Sequence, residues 1–412
     1  MKTLRFNTRL HLLLIFLAAA ALPAFAAGCE SLSSLKLPET TIVSARTINS
    51  GTETRPELKN APPFCHVVME IKPSADSQIR VEVVMPLTGW NGRFQGTGNG
   101  GFGGTVTYVA LAGSLRRGYA AAGTDTGHTG LPPDGSWALK HPEKITDFGH
   151  RAIHEMTVKA QAVVTAFYGE KAKHSYFVGC SNGGRQALME AQRYPEDYDG
   201  ILAGAPANYW THLVSAAVWN MQATEGNPAS YIPAAKIPAL NAAVVAACDA
   251  LDGVKDGVVN DPPACKFDPA VLLCKENQVD SNSCFTAPQV EALKKIYAGP
   301  HDSKGREIFP GFSPGGEEGP AGWARWLTGT APGTGLQSQF GNGFFKNMVF
   351  DDRAWDFKTL NFDTGVKHAD DKLAATLNAT DPNLKEFEQR GGKLILHHGW
   401  SDIAIAPANT VA

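Results

Sequence analysis

Five consecutive residues, Gly179-Cys180-Ser181-Asn182-Gly183, fit the pattern G-x-S-x-G. They stand between a short apolar run, Ser175 to Val178, and a helical stretch through Ala187, Leu188 and Ala191. A nucleophilic serine on a strained strand-to-helix turn needs this placement. The glycines leave room for a turn in which a Cβ on either side would clash, and the strain lifts the serine oxygen above the sheet. The helix N-terminus behind it favours developing negative charge, so the chemistry would be acyl transfer through Ser181. The same residues also suit an ordinary strand-to-helix turn.

A serine nucleophile needs a base and an oxyanion hole. One hole donor is the backbone N–H that follows the serine, here that of Asn182, and the other comes from a loop after an early strand. The Gly-rich run Gly96 to Gly104 supplies that loop, with Gly100 and Gly101 as the expected donors. Its alternative is a plain hairpin connection. Chain order places the acid after the serine, and Asp402 follows a late apolar run, Lys393 to Leu396. A simple turn aspartate is the other reading. His397 and His398 lie beside Asp402 on a strand end, whereas a base comes from a separate loop; both read as structural, as does His154. His128, in a Gly-flanked loop, reads as structural too, though its loop is also placed to line a site.

These residues need a scaffold. Ile79 to Met85 alternates apolar and polar residues and predicts a half-buried strand. From His150 to Tyr168 apolar residues recur at helical spacing, through Ile153, Met156, Ala160 and Phe167. Ile201 to Ala205 predicts the next buried strand. Strand, helix, strand in this order argues for an α/β fold with a parallel sheet and crossover helices. Between Pro206 and about Phe362 the sequence turns aromatic, Pro/Gly-rich and cysteine-rich with few clean periods, and reads as an insertion. The expected organisation is a signal over 1–26, core over 27–206, inserted lid over 207–362 and core again over 363–412.

The signal rests on basic Lys2, Arg5 and Arg9, an apolar stretch from Leu10 to Ala21, and Ala24-Phe25-Ala26 as a cleavage site. The stretch is short for a membrane span, and no later segment reads as longer. Export to the periplasm or the exterior follows. Cys29, just after small residues, also permits a lipid-anchored reading, although a disulfide is the simpler fate. With 412 residues and 43% hydrophobic content the chain buries a large core. A net charge of -3 offers no basic footprint for nucleic acid and no polybasic membrane patch. A small or neutral substrate is left as the partner.

Seven cysteines in an exported chain imply disulfides. Cys248 with Cys265, Cys274 with Cys284 and Cys29 with Cys65 are plausible pairs, which leaves Cys180 alone, sequestered behind Ser181. Around Cys248 the run Asp249-Ala250-Leu251-Asp252-Gly253-Val254-Lys255-Asp256-Gly257-Val258 crowds three carboxylates. They repel one another unless a cation is present, and oxygen ligation suits calcium; a solvated acidic turn is the alternative. Trp323, Arg325, Trp326, Phe344 and Phe345 are candidates for an aromatic-acyl pocket in the lid, or for lid packing.

Gly179 to Arg185, Thr124-Asp125-Thr126-Gly127-His128, Trp90-Asn91-Gly92-Arg93-Phe94, Arg151 to Thr157 and His398-Gly399-Trp400-Ser401-Asp402 together resemble the tannase and feruloyl esterase family, over nearly the whole mature chain. The resemblance implies an α/β-hydrolase core with a lid after the nucleophile half, acting on esters of aromatic carboxylic acids. It implies structural calcium held by the side chains of Asp249, Asp252 and Asp256 and the carbonyls of Val254 and Val258. It further implies that the cysteine at position 180 is tied to a cysteine directly after a catalytic histidine, and the expectation is that both lie beyond residue 412. A rival from another class is a calcium-stabilised aromatic-binding module without a base. Coding sequence downstream of Ala412 discriminates the two.

Overall fold

The computed structural model describes residues 28–52, 55–275 and 281–411. The export signal expected over 1–26 lies outside them. Eight strands form one sheet: β1 (Thr40–Ile48), β2 (Phe64–Ile71), β3 (Ile79–Pro86), β4 (Arg93–Thr97), β5 (Ala120–Thr124), β6 (His174–Cys180), β7 (Gly200–Gly204) and β8 (Lys393–His397), in the order β1-β2-β3-β5-β4-β6-β7-β8. The first three strands and the β3–β5 pair are antiparallel. From β5 to β8 every pairing is parallel. The expected α/β-hydrolase core is therefore present, with an antiparallel lead-in that periodicity did not announce.

β3 shows why. Only Arg80 is exposed along it, so the strand is buried on both faces and not half-buried. Val81, Val83 and Met85 pack with the helix Ala152–Tyr168, while Val84 packs on the other face with the helix Tyr108–Arg116. Glu82, on the second face, is tolerated because His66, Arg80 and Tyr108 all bond its carboxylate. A polar residue thus sits inside, and the alternation that signals a solvent face is misleading here.

The helix Asn182–Arg193 links β6 to β7 and packs Ala187, Leu188 and Met189 against the sheet. Between β7 and β8 the chain leaves the sheet for the insertion expected to be a lid, which contains the helices Trp210–Glu225, Ile237–Cys248, Ala287–Ala298 and Leu336–Phe344. Leu240, Val244, Phe285, Leu293 and Trp323 form a core of its own. The helix Gly365–Leu377 joins a second cluster with Trp210, Val214 and Phe344, and the sheet resumes only at Lys393.

One later stretch does have the length and composition of a membrane span, Pro228–Asp252. Its regular helix is only Ile237–Cys248, about 18 Å at 1.5 Å per residue, well short of the roughly 30 Å hydrocarbon layer. Ile237, Leu240 and Val244 face the lid core, and the helix ends in a disulfide. Three disulfides link Cys29 to Cys65, Cys248 to Cys265 and Cys274 to Cys284.

Candidate active site

Ser181 sits between β6 and the helix Asn182–Arg193 with φ 63° and ψ -121°, a backbone conformation that costs a non-glycine residue energy. The flanking glycines explain how the turn closes. A Cβ on Gly179 would lie 2.2 Å from the carbonyl oxygen of Gly183, and one on Gly98 would lie 2.6 Å from the Gly183 Cα. The helix start is thus pressed against both β6 and the loop after β4. The Ser181 N–H donates to the Gly204 carbonyl at 3.0 Å, and the Ala207 N–H donates to the Ser181 carbonyl at 3.1 Å.

A buried amide network fixes the loop relative to the turn. The Asn99 N–H donates to Gln186 Oε1 at 3.1 Å, and the side-chain amides of Asn182 and Gln186 both donate to Asn99 Oδ1, at 3.1 and 2.9 Å. Arg185 donates through Nε and Nη2 to Asn182 Oδ1, at 2.9 and 2.8 Å, and spends its remaining donors on the carbonyls of Phe148, Gly149 and Leu377. Arg185 is wholly buried over the rings of Phe148 and Trp210. None of this network was legible from the motif alone, although the Arg in Gly-Cys-Ser-Asn-Gly-Gly-Arg was its signal.

Of the expected hole residues, Gly101 lines the same cavity as Ser181. Asn182 opens the helix, where its N–H has no intrahelical acceptor. The Gly100 carbonyl accepts from the Gly103 N–H at 3.0 Å and closes the turn between them.

Asp402 lies in the turn after β8. Its Oδ1 accepts the N–H groups of Ala404 and Ile405, at 2.8 and 3.1 Å. His398 Nε2 is 3.1 Å from Oδ2, and His398 Nδ1 is 2.7 Å from Thr410 Oγ1. Sequence reasoning treated this ring as merely structural and missed its contact with Asp402, which the turn between them makes. Ala404, Ile405 and Ala406 line the cavity with Ser181, so the turn of Asp402 borders it. Among the described residues no imidazole hydrogen-bonds the Ser181 hydroxyl.

Cys180, the last residue of β6, is an exposed free thiol, not the sequestered one expected. Partial burial, and then the Asp402 carboxylate, push its pKa above the ordinary thiol value. The remaining histidines are elsewhere. His154 bonds Asp197 at 2.7 Å. His128 stacks on Trp137 at 3.8 Å and faces a separate cleft with Arg80 and Asp125, where burial brings its pKa down to about 4.

The cavity over Ser181 has walls of Trp210, Leu213, Val214, Phe309, Phe312, Trp326, Phe340 and Ile405. Of the five aromatic-pocket candidates only Trp326 lines it. Trp323, Phe344 and Phe345 are fully buried as packing, and Arg325 is exposed. The helix Trp210–Glu225, which supplies much of the floor, was lost in the apparently aperiodic insertion.

In the acidic loop, Asp249 Oδ1 accepts the N–H groups of Asp256 and Gly257, Asp252 Oδ1 that of Val254, and Asp256 Oδ1 that of Val258. Asp252 and Asp256 are exposed and Asp249 is half-buried. Among the described residues no three His, Cys, Asp or Glu side chains converge as a metal cage, so a cation here would draw on main-chain carbonyls as well.

The tannase and feruloyl esterase family matches residues 65–412. An uncharacterized esterase of Xanthomonas campestris pv. campestris is 43% identical over 399 residues, covering 93% of this chain and 69% of its own length. A probable feruloyl esterase B-1 of Aspergillus fumigatus is 33% identical over 362 residues, covering 85% of this chain and 64% of its own length. The chain thus spans 64% to 69% of the length of these relatives. Among solved structures, feruloyl esterase B from Aspergillus oryzae has a TM-score of 0.83 at 28% identity, over 93% of this chain and 76% of that one. Tannin acyl hydrolase from Aspergillus niger, at 24% identity and a TM-score of 0.73 over 92% and 74%, shares the fold. On its sequence, its sheet order and its strained serine turn, this chain belongs to the tannase and feruloyl esterase family, built on an α/β-hydrolase core.

Proposed function

We propose that this chain carries the core of an exported serine hydrolase for carboxylic esters of aromatic acids, of feruloyl, galloyl or terephthalate-monoester type. One observation carries the reading: Ser181 stands on a positive-φ turn at the mouth of an apolar cavity lined by aromatic rings. The Ser181 oxygen attacks the ester carbonyl, and its proton passes to an imidazole that Asp402 orients. The oxyanion is held by the N–H of Asn182 and an N–H of the Gly100–Gly101 turn. The imidazole protonates the leaving alkoxide, and water then releases the acid from the acyl-enzyme by the same route in reverse.

The imidazole, in this reading, belongs to a histidine downstream of residue 412, followed by the cysteine that pairs with Cys180. Two facts support it: His398 is held by Thr410, and the relatives named above are longer than this chain. A form extended through that histidine should hydrolyse feruloyl or galloyl esters on the order of 10⁴-fold faster than residues 1–412 alone, provided both melt cooperatively. Rates within tenfold would make a histidine already present, His398 first, the base. Three disulfides suit an oxidising compartment and support export.

Structural calcium in the Asp249–Val258 loop is part of the same proposal, with Asp249, Asp252 and Asp256 and the carbonyls of Val254 and Val258 as ligands. Its support is the run of three aspartates in one short loop beside the Cys248–Cys265 bridge. Chelation should lower the melting temperature, and calcium should restore it. Identical melts with and without chelator would remove calcium from the account.

A further inference from the structure

We propose that Asn220 and Gln337 form a specificity-determining pair that reads a neutral hydroxyl at the far end of the acyl ring. The inference rests on the cavity over Ser181 being the acyl site. Along the helix Trp210–Glu225, residues 210, 213, 214, 217 and 220 follow helical spacing and line the cavity as one stripe. The stripe is apolar until its last member. Asn220 lies ten positions beyond Trp210, about 15 Å along the axis at 1.5 Å per residue. The Ala207 N–H donates to the Ser181 carbonyl, so the start of this helix is at the Ser181 end and the amide lies toward the distal end.

There Asn220 Nδ2 donates to Gln337 Oε1 at 2.9 Å, and the two side chains are only 5% and 6% exposed. A side-chain amide has two donor hydrogens and a carbonyl with two lone pairs, so this single bond leaves both groups unfilled. Asn220 Oδ1 and Gln337 Nε2 make no hydrogen bond among the described residues, yet both keep accessible surface. They are open to the cavity they line. Exchanging the oxygen and nitrogen of both amides leaves the result unchanged: the pair still presents one carbonyl and one NH₂ side by side. A phenolic hydroxyl matches that pattern, donating to the carbonyl and accepting from the amide.

Apart from Ser181 and the tryptophan indoles, the remaining lining is apolar or backbone. Among the described residues no Lys, Arg, His, Asp or Glu lines the cavity. A ring carboxylate at the same place would lose its water without gaining a cation, whereas a hydroxyl loses little and gains two bonds. The pair therefore selects phenolic acyl groups and disfavours a free carboxylate on the ring.

The test is calorimetric titration of the chain with three amides that share one skeleton: cinnamamide, 4-hydroxycinnamamide and 4-carboxycinnamamide. The hydroxyl compound should bind about tenfold tighter than the parent, and the carboxylate about tenfold weaker. In Asn220→Leu and Gln337→Leu the hydroxyl preference should disappear while the parent still binds. If these variants do not fold, the wild-type series decides alone. Parent binding with no hydroxyl preference, or with tighter carboxylate binding, overturns this inference and leaves the esterase reading standing. No binding of the parent overturns the acyl-site reading, and this inference with it.

Discussion

The turn that carries Ser181 and the turn that carries Asp402 lie at the same end of one sheet but are built differently. Around Ser181 the fixing groups come from far along the chain: Asn99 meets Asn182 and Gln186, and Arg185 reaches Leu377. All four polar side chains are at most 6% exposed. Around Asp402 the fixing groups are local, with His398, Ala404 and Ile405 all within four residues. β8 ends the sheet, and its Ile395 and Leu396 are 62% and 42% exposed. Ser181 is held by tertiary burial and Asp402 by a turn, so under their proposed roles stability and activity should separate when each is disturbed.

The sharpest test of that separation is Asp402→Asn. It keeps the Oδ1 acceptor of the turn, so stability should shift by less than about 1 kcal/mol, while ester hydrolysis by the extended enzyme should fall on the order of 10⁴-fold through loss of imidazole orientation. A large fall in melting temperature would mean that the acid, too, is held by the fold at large.

Asn99→Ala probes the other side. It strands the buried amides of Asn182 and Gln186, which should cost about 2–4 kcal/mol and displace the Gly98–Gly101 loop, so that activity drops as well. A melt unchanged by denaturant titration would break the comparison.

The antiparallel lead-in supplies a third setting, an interior charge far from either turn. Burial works to raise the Glu82 pKa, but the bonds from His66, Tyr108 and Arg80 outweigh it and hold the carboxyl at about 2, against 4.5 in the open. A depressed carboxylate stabilises fully above the unfolded value, and that contribution is lost as pH falls from about 5 toward 2. The loss should amount to about 3 kcal/mol. Glu82→Gln should flatten this acid limb; an unaltered slope would assign it to other groups.

The smallest effect belongs to the edge itself. Ile395→Thr should change stability by no more than about 0.5 kcal/mol, since its side chain is mostly in solvent already. A loss of several kcal/mol would show that β8 is buried in solution.

The same contrast explains what was readable from the sequence. The serine turn was legible because its geometry excludes a Cβ at Gly179 and Gly98, which forces glycine into the chain where the eye can find it. The parallel strands β6 and β7 were legible as short apolar runs. β3 was misread as half-exposed because Glu82 is a buried, fully bonded carboxylate, and bonding partners on β2 and the helix Tyr108–Arg116 have no local signature. The exposure of Cys180 and the packing of Trp323, Phe344 and Phe345 depend on where β8 and the lid helices come to rest. Type alone could not separate pocket aromatics from core aromatics, whereas the spacing of Trp210, Leu213, Val214 and Ala217 was available and went unused.

β8 pairs with β7 in a register that sets Lys393 beside Gly200, roughly 190 positions apart, and a loop of that length delays a contact far more than it weakens it. The lid between them closes on its own scale, through bridges spanning 17 and 10 residues. We therefore expect the serine turn and the lid to consolidate first and the strand that delivers Asp402 to dock last. Pulse-labelled hydrogen exchange during refolding should find the amides of Lys393–His397 protected after those of His174–Cys180; simultaneous protection would refute the order. A chain that assembles this way has Ser181 in place before Asp402, and under the roles proposed for them stays inert until the final strand is home.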